Sequence, residues 1–198
     1  MIKVLIIYPV GFKCQEKLDR KIDAIVSNMA NPSFVYTSDS EGLIRTFCDA
    51  RNYIAEKINE ITSENFTHCI IFDDSETLEI EKKTIQSINK PIRIVRVIIT
   101  RVVNIRTDPV YNERNKRSYE YIGRGSYWGN PYAMHINGDD RDEVIRKFKY
   151  DFDNDKFATK NKSEVFKLYG KRLGCFCKPE ACHGDILANF LNAWDDGK

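Results

Sequence analysis

Along the first half of the chain, short apolar runs alternate with stretches whose apolar residues recur every three or four positions. Lys3–Pro9 (KVLIIYP) is continuous and β-branched, which predicts a strand covered on both faces. Between Glu16 and Met29, Leu18, Ile22, Ile25, Val26 and Met29 share one helical face. Ser33–Thr37 reads as a second strand. Glu41–Glu64 reads as a long amphipathic helix or a broken pair, with Leu43, Ile44, Phe47, Ile54, Ile58 and Ile61 inward. A strand at His68–Asp74, a helix at Glu79–Asn89 and a strand after Pro91 follow. Strands alternating with helices predict a parallel sheet with right-handed crossovers. Ligands on such sheets sit at the carboxyl ends of the strands, here Tyr8–Gly11, Thr37–Ser40 and Asp73–Ser75.

The pattern changes after Arg93. Arg93–Pro109 alternates Val and Ile with Arg, as a strand passing from one unit into the next would. Tyr111–Ser118 is polar and reads as a surface loop. Asp139–Asp153 predicts a helix capped by Asp139 or Asp140, with Val144, Ile145 and Phe148 as its apolar stripe. Ser163–Leu173 holds a short helix that Gly170 ends. Leu173–Cys177 has strand character, placing Cys175 and Cys177 on one face. Pro179 then turns the chain, and Gly184–Asp185 opens a last helix through Trp194. The expected fold class is α/β. An N-terminal Rossmann-like three-layer unit over residues 1–95 has a parallel sheet and packs against a smaller α+β unit over residues 96–198.

Hydrophobic residues make up 42% of the 198 positions and charged residues 30%, an ordinary soluble balance. No apolar run reaches transmembrane length, and the start lacks the pattern of a signal peptide. The expectation is a cytoplasmic protein of a bacterial or phage-infected cell, with its six cysteines as thiols. Residues 1–93 carry net charge −2 and residues 94–198 net +4. That asymmetry suits an anionic small molecule better than a duplex. Neither GxGxxG nor a Walker loop is present. A nucleic-acid partner would have Arg96, Arg101, Arg106, Arg114, Lys116 and Arg117 to use.

Two stretches carry chemistry. In Tyr121–Tyr132 (YIGRGSYWGNPY), Gly123, Gly125 and Gly129 permit sharp turns or close approach to a ligand. Arg124 can clamp a phosphate, Ser126 offers a hydroxyl, and Trp128 a flat apolar surface. Asn130, held extended by Pro131, presents an amide. A plain glycine-rich turn with Trp128 in the core is the other reading. Arg141 opens a helix whose dipole disfavours it, which invites an acidic partner or an anionic ligand.

Gly174–Asp185 (GCFCKPEACHGD) admits three readings. Cys175, Cys177, Cys182 and His183 could hold zinc, but the spacing departs from C-x₂₋₄-C pairs and adjacent Cys–His ligands are awkward, so no metal is assigned. Alternatively the turn is catalytic, with a Cys177 or Cys182 thiolate, His183 exchanging protons and Asp185 orienting it or acting as base. In the third reading the thiols are small buried apolar groups and His183 is a hydrogen-bonded turn residue.

The segment CDARNYIAEKI, then HCIIFDD and KPIRIVRV, resembles the SLOG group of Rossmann-like, nucleotide-associated folds, with Arg51–Asn52 in the place of that group's Arg-Asn pair. Residues 97–194 resemble a bacterial and phage domain-of-unknown-function family, whose pattern is an Arg-Gly-Ser loop, Trp-Gly-Asn-Pro, an Arg-led helix and Cys-x-Cys-x-Pro-x-x-Cys-His-Gly-Asp. The resemblance implies that Gly123, Arg124, Ser126, Trp128, Gly129, Asn130, Pro131, Arg141, Cys175, Cys177, Cys182, His183, Gly184 and Asp185 form one signature. The expectation is one pocket for a nucleotide or nucleoside-like molecule. Arg124 and Arg141 would hold phosphate, Trp128 stack on the base, Asn130 and Ser126 orient the sugar, and His183 or Asp185 move a proton. Hydrolysis or transfer at an N-glycosidic bond is the expected step. A nucleotide-signal sequestering module without turnover is the alternative.

Overall fold

The computed structural model describes residues 2–108, 118–134 and 138–197. It divides into two units, Met1–Val97 together with Ala193–Lys198, and Ile98–Asn192.

The first unit is a five-stranded parallel sheet in the order β3-β2-β1-β4-β5, with β1 Lys3–Ile7, β2 Ser33–Tyr36, β3 Ala55–Lys57, β4 His68–Asp73 and β5 Ile92–Arg96. Leu5 pairs with Val35 on one side and Cys69 on the other, so β1 lies inside the sheet. That explains its unbroken apolar run: Val4, Leu5 and Ile6 have no exposed surface. Helices α1 (Gln15–Val26), α2 (Leu43–Arg51) and α3 (Glu79–Ile88) make three of the connections. Leu18, Ile22 and Val26 of α1 are buried as the periodicity predicts. Lys17, on the same buried face, survives there because Asp196 meets its ammonium at 2.8 Å.

The expected long helix over Glu41–Glu64 is corrected. It ends at Arg51, where Asn52 takes the left-handed conformation (φ 56°) and caps the carbonyls of Cys48 and Asp49. The chain then forms β3 at the sheet edge, and Ile54 is turned outward, 69% exposed. Only Ile58 and Ile61 of the later apolar positions reach the core. Arg51 grips Asp23 through two hydrogen bonds of 2.7 and 2.6 Å and lies over the Phe47 ring. At the strand ends, Asp39 accepts from Tyr8 and from the backbone of Ile44 and Arg45. Asp73 accepts from Ser75 and Lys82. Asp74 accepts from the backbone of Glu76 and Thr77, so all three carboxylates at these strand ends are engaged in holding loops and helix starts.

The single strand expected across Arg93–Pro109 is also corrected, being two strands in two sheets. β5 ends at Arg96, and β6 (Arg101–Asn104) belongs to the second unit. Between them the Asn192 side chain donates to the Thr100 carbonyl and accepts from its N–H. A buried side-chain amide thus takes the place of a ladder partner.

The second unit has a three-stranded sheet, β6-β8-β7, with β7 Tyr119–Tyr121 and β8 Arg172–Cys175, parallel throughout. α4 (Arg141–Asp153), a 3₁₀ segment (Lys162–Leu168) and α5 (His183–Ala193) complete it. Its core joins Ile122, Trp128, Phe148, Phe152, Leu173, Leu187 and Leu191. On α4 the buried stripe is Val144, Phe148 and Phe152, and Ile145 is only half-buried. The loop expected over Tyr111–Ser118 lies, apart from Ser118, outside the described residues. Asp140, not Asp139, caps α4 and accepts from Glu143 N at 2.8 Å. Asp140→Ala is expected to destabilise this unit by about 1 kcal/mol, with Asp140→Ser retaining most of it; urea denaturation midpoints measure the difference.

Candidate functional site

The Arg-Gly-Ser loop folds as two successive turns, Ser126 N to Gly123 O at 3.1 Å and Gly129 N to Ser126 O at 3.0 Å. Gly125 sits at φ +84°, the third position of a type II turn, where a side chain is strained. A Cβ on Gly129 would lie 2.6 Å from the Gly123 carbonyl oxygen, so only glycine lets the loop close on itself. Lys160 donates to the Gly129 carbonyl, pinning the turn from outside.

The loop ends beside the Cys-His turn. A cleft of about 110 Å³ is lined by Arg124, Asn130 and Arg141 together with Cys175, Cys177, Cys182 and His183. Tyr132, Met134, Val144, Ile145 and Ala181 complete its walls. Gly123, Ser126, Trp128 and Asp185 are not among the lining residues. Trp128 is 4% exposed and packs in the core edge-on to Tyr127, so it has no face available for stacking. The Ser126 hydroxyl is buried and has no hydrogen-bond partner among the described residues. Asn130 donates to the Val144 carbonyl and accepts from Tyr132 N, tying the loop to α4. Its amide is a positioning group.

The cysteines converge because β8 delivers Cys175 and the turn brings the chain back onto α5. Cys175 and Cys177 sulfurs are 3.4 Å apart. Cys182 precedes α5 as a cap: its sulfur accepts from Gly184 N at 3.4 Å, and its own N–H is taken by the Asp185 carboxylate at 2.9 Å. Asp185 also meets Lys178 at 2.7 Å. It has no bond to the His183 ring, so the expected orienting role falls to the backbone. His183 Nε2 donates to the Ile122 carbonyl at 3.0 Å, and Nδ1 faces the Cys182 sulfur at 3.7 Å. A carbonyl only accepts, so Nε2 carries the proton and Nδ1 keeps its lone pair. Burial lowers the pKa of His183, keeping the ring neutral. The edge of the ring meets Phe148, with centroids 4.9 Å apart.

The sulfurs titrate as a set. A hydrogen bond from the Cys182 thiol is the largest influence on Cys175, pulling it down to about 5, and the same bond pushes Cys182 up. Burial, with the Cys175 charge beside it, raises Cys177, while a hydrogen bond from Arg141 opposes that rise. Arg141 also donates to the Ala181 carbonyl at 3.2 Å. The helix-opening arginine therefore finds a carbonyl where the sequence invited an acid, and lies in the same cleft as Cys177. Cys175, Cys182 and His183 present ligand atoms within 4.8 Å of one another and could hold a metal ion.

Asn104 was not singled out from sequence. Its side chain donates to the carbonyls of Phe176 and Lys178, at 3.2 and 2.5 Å, and so fixes the turn that carries the cysteines. Of the arginines considered for nucleic acid, Arg101 donates to the Ile99 carbonyl and Arg106 lies over Phe176. Arg114, Lys116 and Arg117 lie outside the described residues. Among the described residues no helix is long and apolar enough to cross a membrane.

A parallel five-stranded α/β unit followed by a unit with a thiol–imidazole cleft defines the class. The chain belongs to the minimal SLOG domain family, whose model matches residues 1–103. Residues 103–193 match a domain of unknown function, DUF4326. An uncharacterized 12.4 kDa protein from the nrdA-td intergenic region of Enterobacteria phage T4 is 42% identical over 72 residues, covering 36% of this chain and 65% of that relative. No solved structure matches.

Proposed function

We propose that the C-terminal cleft binds and processes a nucleotide or nucleoside derivative. The observation that carries this reading is the convergence of Arg124 and Arg141 with three thiols and an imidazole on one small cleft. Two guanidinium groups recognise phosphate through charge-assisted hydrogen bonds. The SLOG-type unit ahead of the cleft points to the same ligand class.

The reacting groups in this reading are the sulfurs and the imidazole. An N-glycosidic step needs a carboxylate near the developing oxocarbenium ion. Asp185 is paired with Lys178 and no carboxylate among the described residues lines the cleft, so that step has lost its most obvious participant. Hydrolysis or transfer that draws on the thiol cluster fits the groups at hand. Zinc is the cofactor the site would take, held by Cys175, Cys182 and His183 with Cys177 beside them; it would supply Lewis acidity only with the fourth position open to the phosphate. Sequestration without turnover is the second reading. It is favoured by Asp185, whose pairing with Lys178 leaves it outside the cleft lining.

Calorimetry and product analysis by mass spectrometry on a nucleotide and nucleoside panel test both. Phosphate-dependent binding with product formation is expected. Binding without product in any metal-loaded preparation would leave sequestration, and no binding across the panel would end both.

A further inference from the structure

The four potential ligands at the cleft floor are not equivalent. Cys175, Cys182 and His183 are 4%, 2% and 5% exposed. Their ligand atoms already lie within 4.8 Å of one another. Zinc bonds of about 2.3 Å to sulfur and 2.0–2.1 Å to nitrogen place neighbouring tetrahedral ligand atoms roughly 3.5–3.8 Å apart. The Cys182 Sγ to His183 Nδ1 separation of 3.7 Å falls in that range without rearrangement. The Ile122 carbonyl fixes the tautomer and ring orientation that leave Nδ1 as the donor atom, as outer partners of metal-bound histidines do.

Cys177 differs in each respect. It is half-buried and lines the cleft. Its sulfur stands 3.4 Å from that of Cys175 but is not one of the three ligand atoms that already lie within 4.8 Å of one another. It also shares the cleft with Arg141, whose guanidinium favours the Cys177 thiolate. Arg141 is itself steadied by the Ala181 carbonyl.

Resting on the zinc reading above, we propose that Cys175, Cys182 and His183 are fixed metal ligands and that Cys177 is an exchangeable fourth, passed between the metal and Arg141. The exchange moves no proton. Three thiolates on a divalent ion leave one net negative charge, which Arg141 balances; when Cys177 turns to Arg141, a neutral two-thiolate centre and a neutral thiolate–guanidinium pair result. The vacated position then belongs to the cleft that Arg124 and Asn130 line. An anionic oxygen of the nucleotide is the ligand suited to take it.

Metal content and native alkylation of the full chain test this. The wild type is expected to hold one zinc per chain, and Cys177→Ser to keep it. Cys175→Ser and Cys182→Ser are expected to lose it. Cobalt-substituted Cys177→Ser should show its sulfur-to-metal charge-transfer band reduced by about one third, as two thiolates replace three. Iodoacetamide on the zinc-loaded wild type, a measurement that needs no variant to fold, should modify Cys177 before the other two and release no zinc. Cys177→Ser as zinc-poor as Cys175→Ser, or Cys177 as protected as Cys182, would overturn the exchange while leaving the metal in place. No zinc or cobalt bound by the wild type would overturn the metal reading itself.

Discussion

Phe148→Ala is expected to lower the stability of the C-terminal unit by about 3–5 kcal/mol, the largest loss of any single truncation near the cleft. Phe148 has no exposed surface and sits at the centre of the core that holds Trp128, Phe152, Leu173 and Leu187. Its ring meets Phe157 at 5.0 Å and the His183 imidazole at 4.9 Å. On α4 it lies one turn after Val144 and one before Phe152, in a close-packed core where a lost ring leaves a cavity. Truncation removes both the apolar contacts and the edge-to-face pair that keeps the imidazole turned toward the sulfurs. Guanidinium denaturation followed by Trp128 fluorescence, in a Trp194→Phe background, measures the change. Phe148→Leu should cost less, because it retains most of the volume. A loss below about 1 kcal/mol for the alanine variant would mean that the core relaxes around the site, and that Phe148 does not fix the cleft floor.

Most of the fold was legible because its signals are local. The apolar run of β1 and the helical spacing of α1 each report their own environment, whatever the rest of the chain does. The failures arise where a distant residue decides. Nothing in Ile54–Ile61 announces that β2 offers an edge for Ala55–Lys57 to join, and the same apolar spacing serves a helix equally well. Nothing in Arg93–Asn104 announces that Asn192 will take the backbone of Thr100 and divide one apparent strand into two. The candidate site divides in the same manner. Residue types named Arg124, Arg141 and the Cys-His turn as chemically capable, and the two arginines, the three cysteines and His183 line the cleft while Asp185 does not. Sequence could not say which polar groups the fold itself would consume. Asn130, Asp185 and His183 Nε2 are taken by Val144, Lys178 and Ile122, partners 14, 7 and 61 positions away. Trp128 was ambiguous for a related reason, since a large aromatic beside glycines suits a ligand wall and a core equally, and burial resolved it. Adjacent cysteine and histidine ligands looked awkward on paper. The start of α5 turns their side chains toward each other, a consequence of where the helix begins.

Arg141→Ala and Arg124→Ala are each expected to weaken binding of a phosphorylated ligand by about 1.5–3 kcal/mol, roughly ten- to hundredfold in Kd, with Arg141 toward the upper end. The ranking follows from what holds each guanidinium. Arg141 is anchored to the Ala181 carbonyl before any ligand arrives, so less side-chain freedom remains to be lost on binding. Arg124 is exposed and has no ion-pair partner among the described residues, so its ordering must offset part of its attraction. Exposure also makes the Arg124 contribution fall with ionic strength, whereas that of Arg141, inside the cleft, should persist. Arg141→Lys is expected to behave nearly as poorly as Arg141→Ala, because a point charge cannot contact phosphate, sulfur and carbonyl at once as a planar fork can. Calorimetry on the tightest-binding nucleotide and its dephosphorylated nucleoside, at low and moderate salt, separates phosphate recognition from changes elsewhere in the cleft. The wild-type preference for the nucleotide should shrink in both variants. An unchanged preference in Arg141→Ala would show that the phosphate lies elsewhere, and the cleft would lose its claim to a nucleotide.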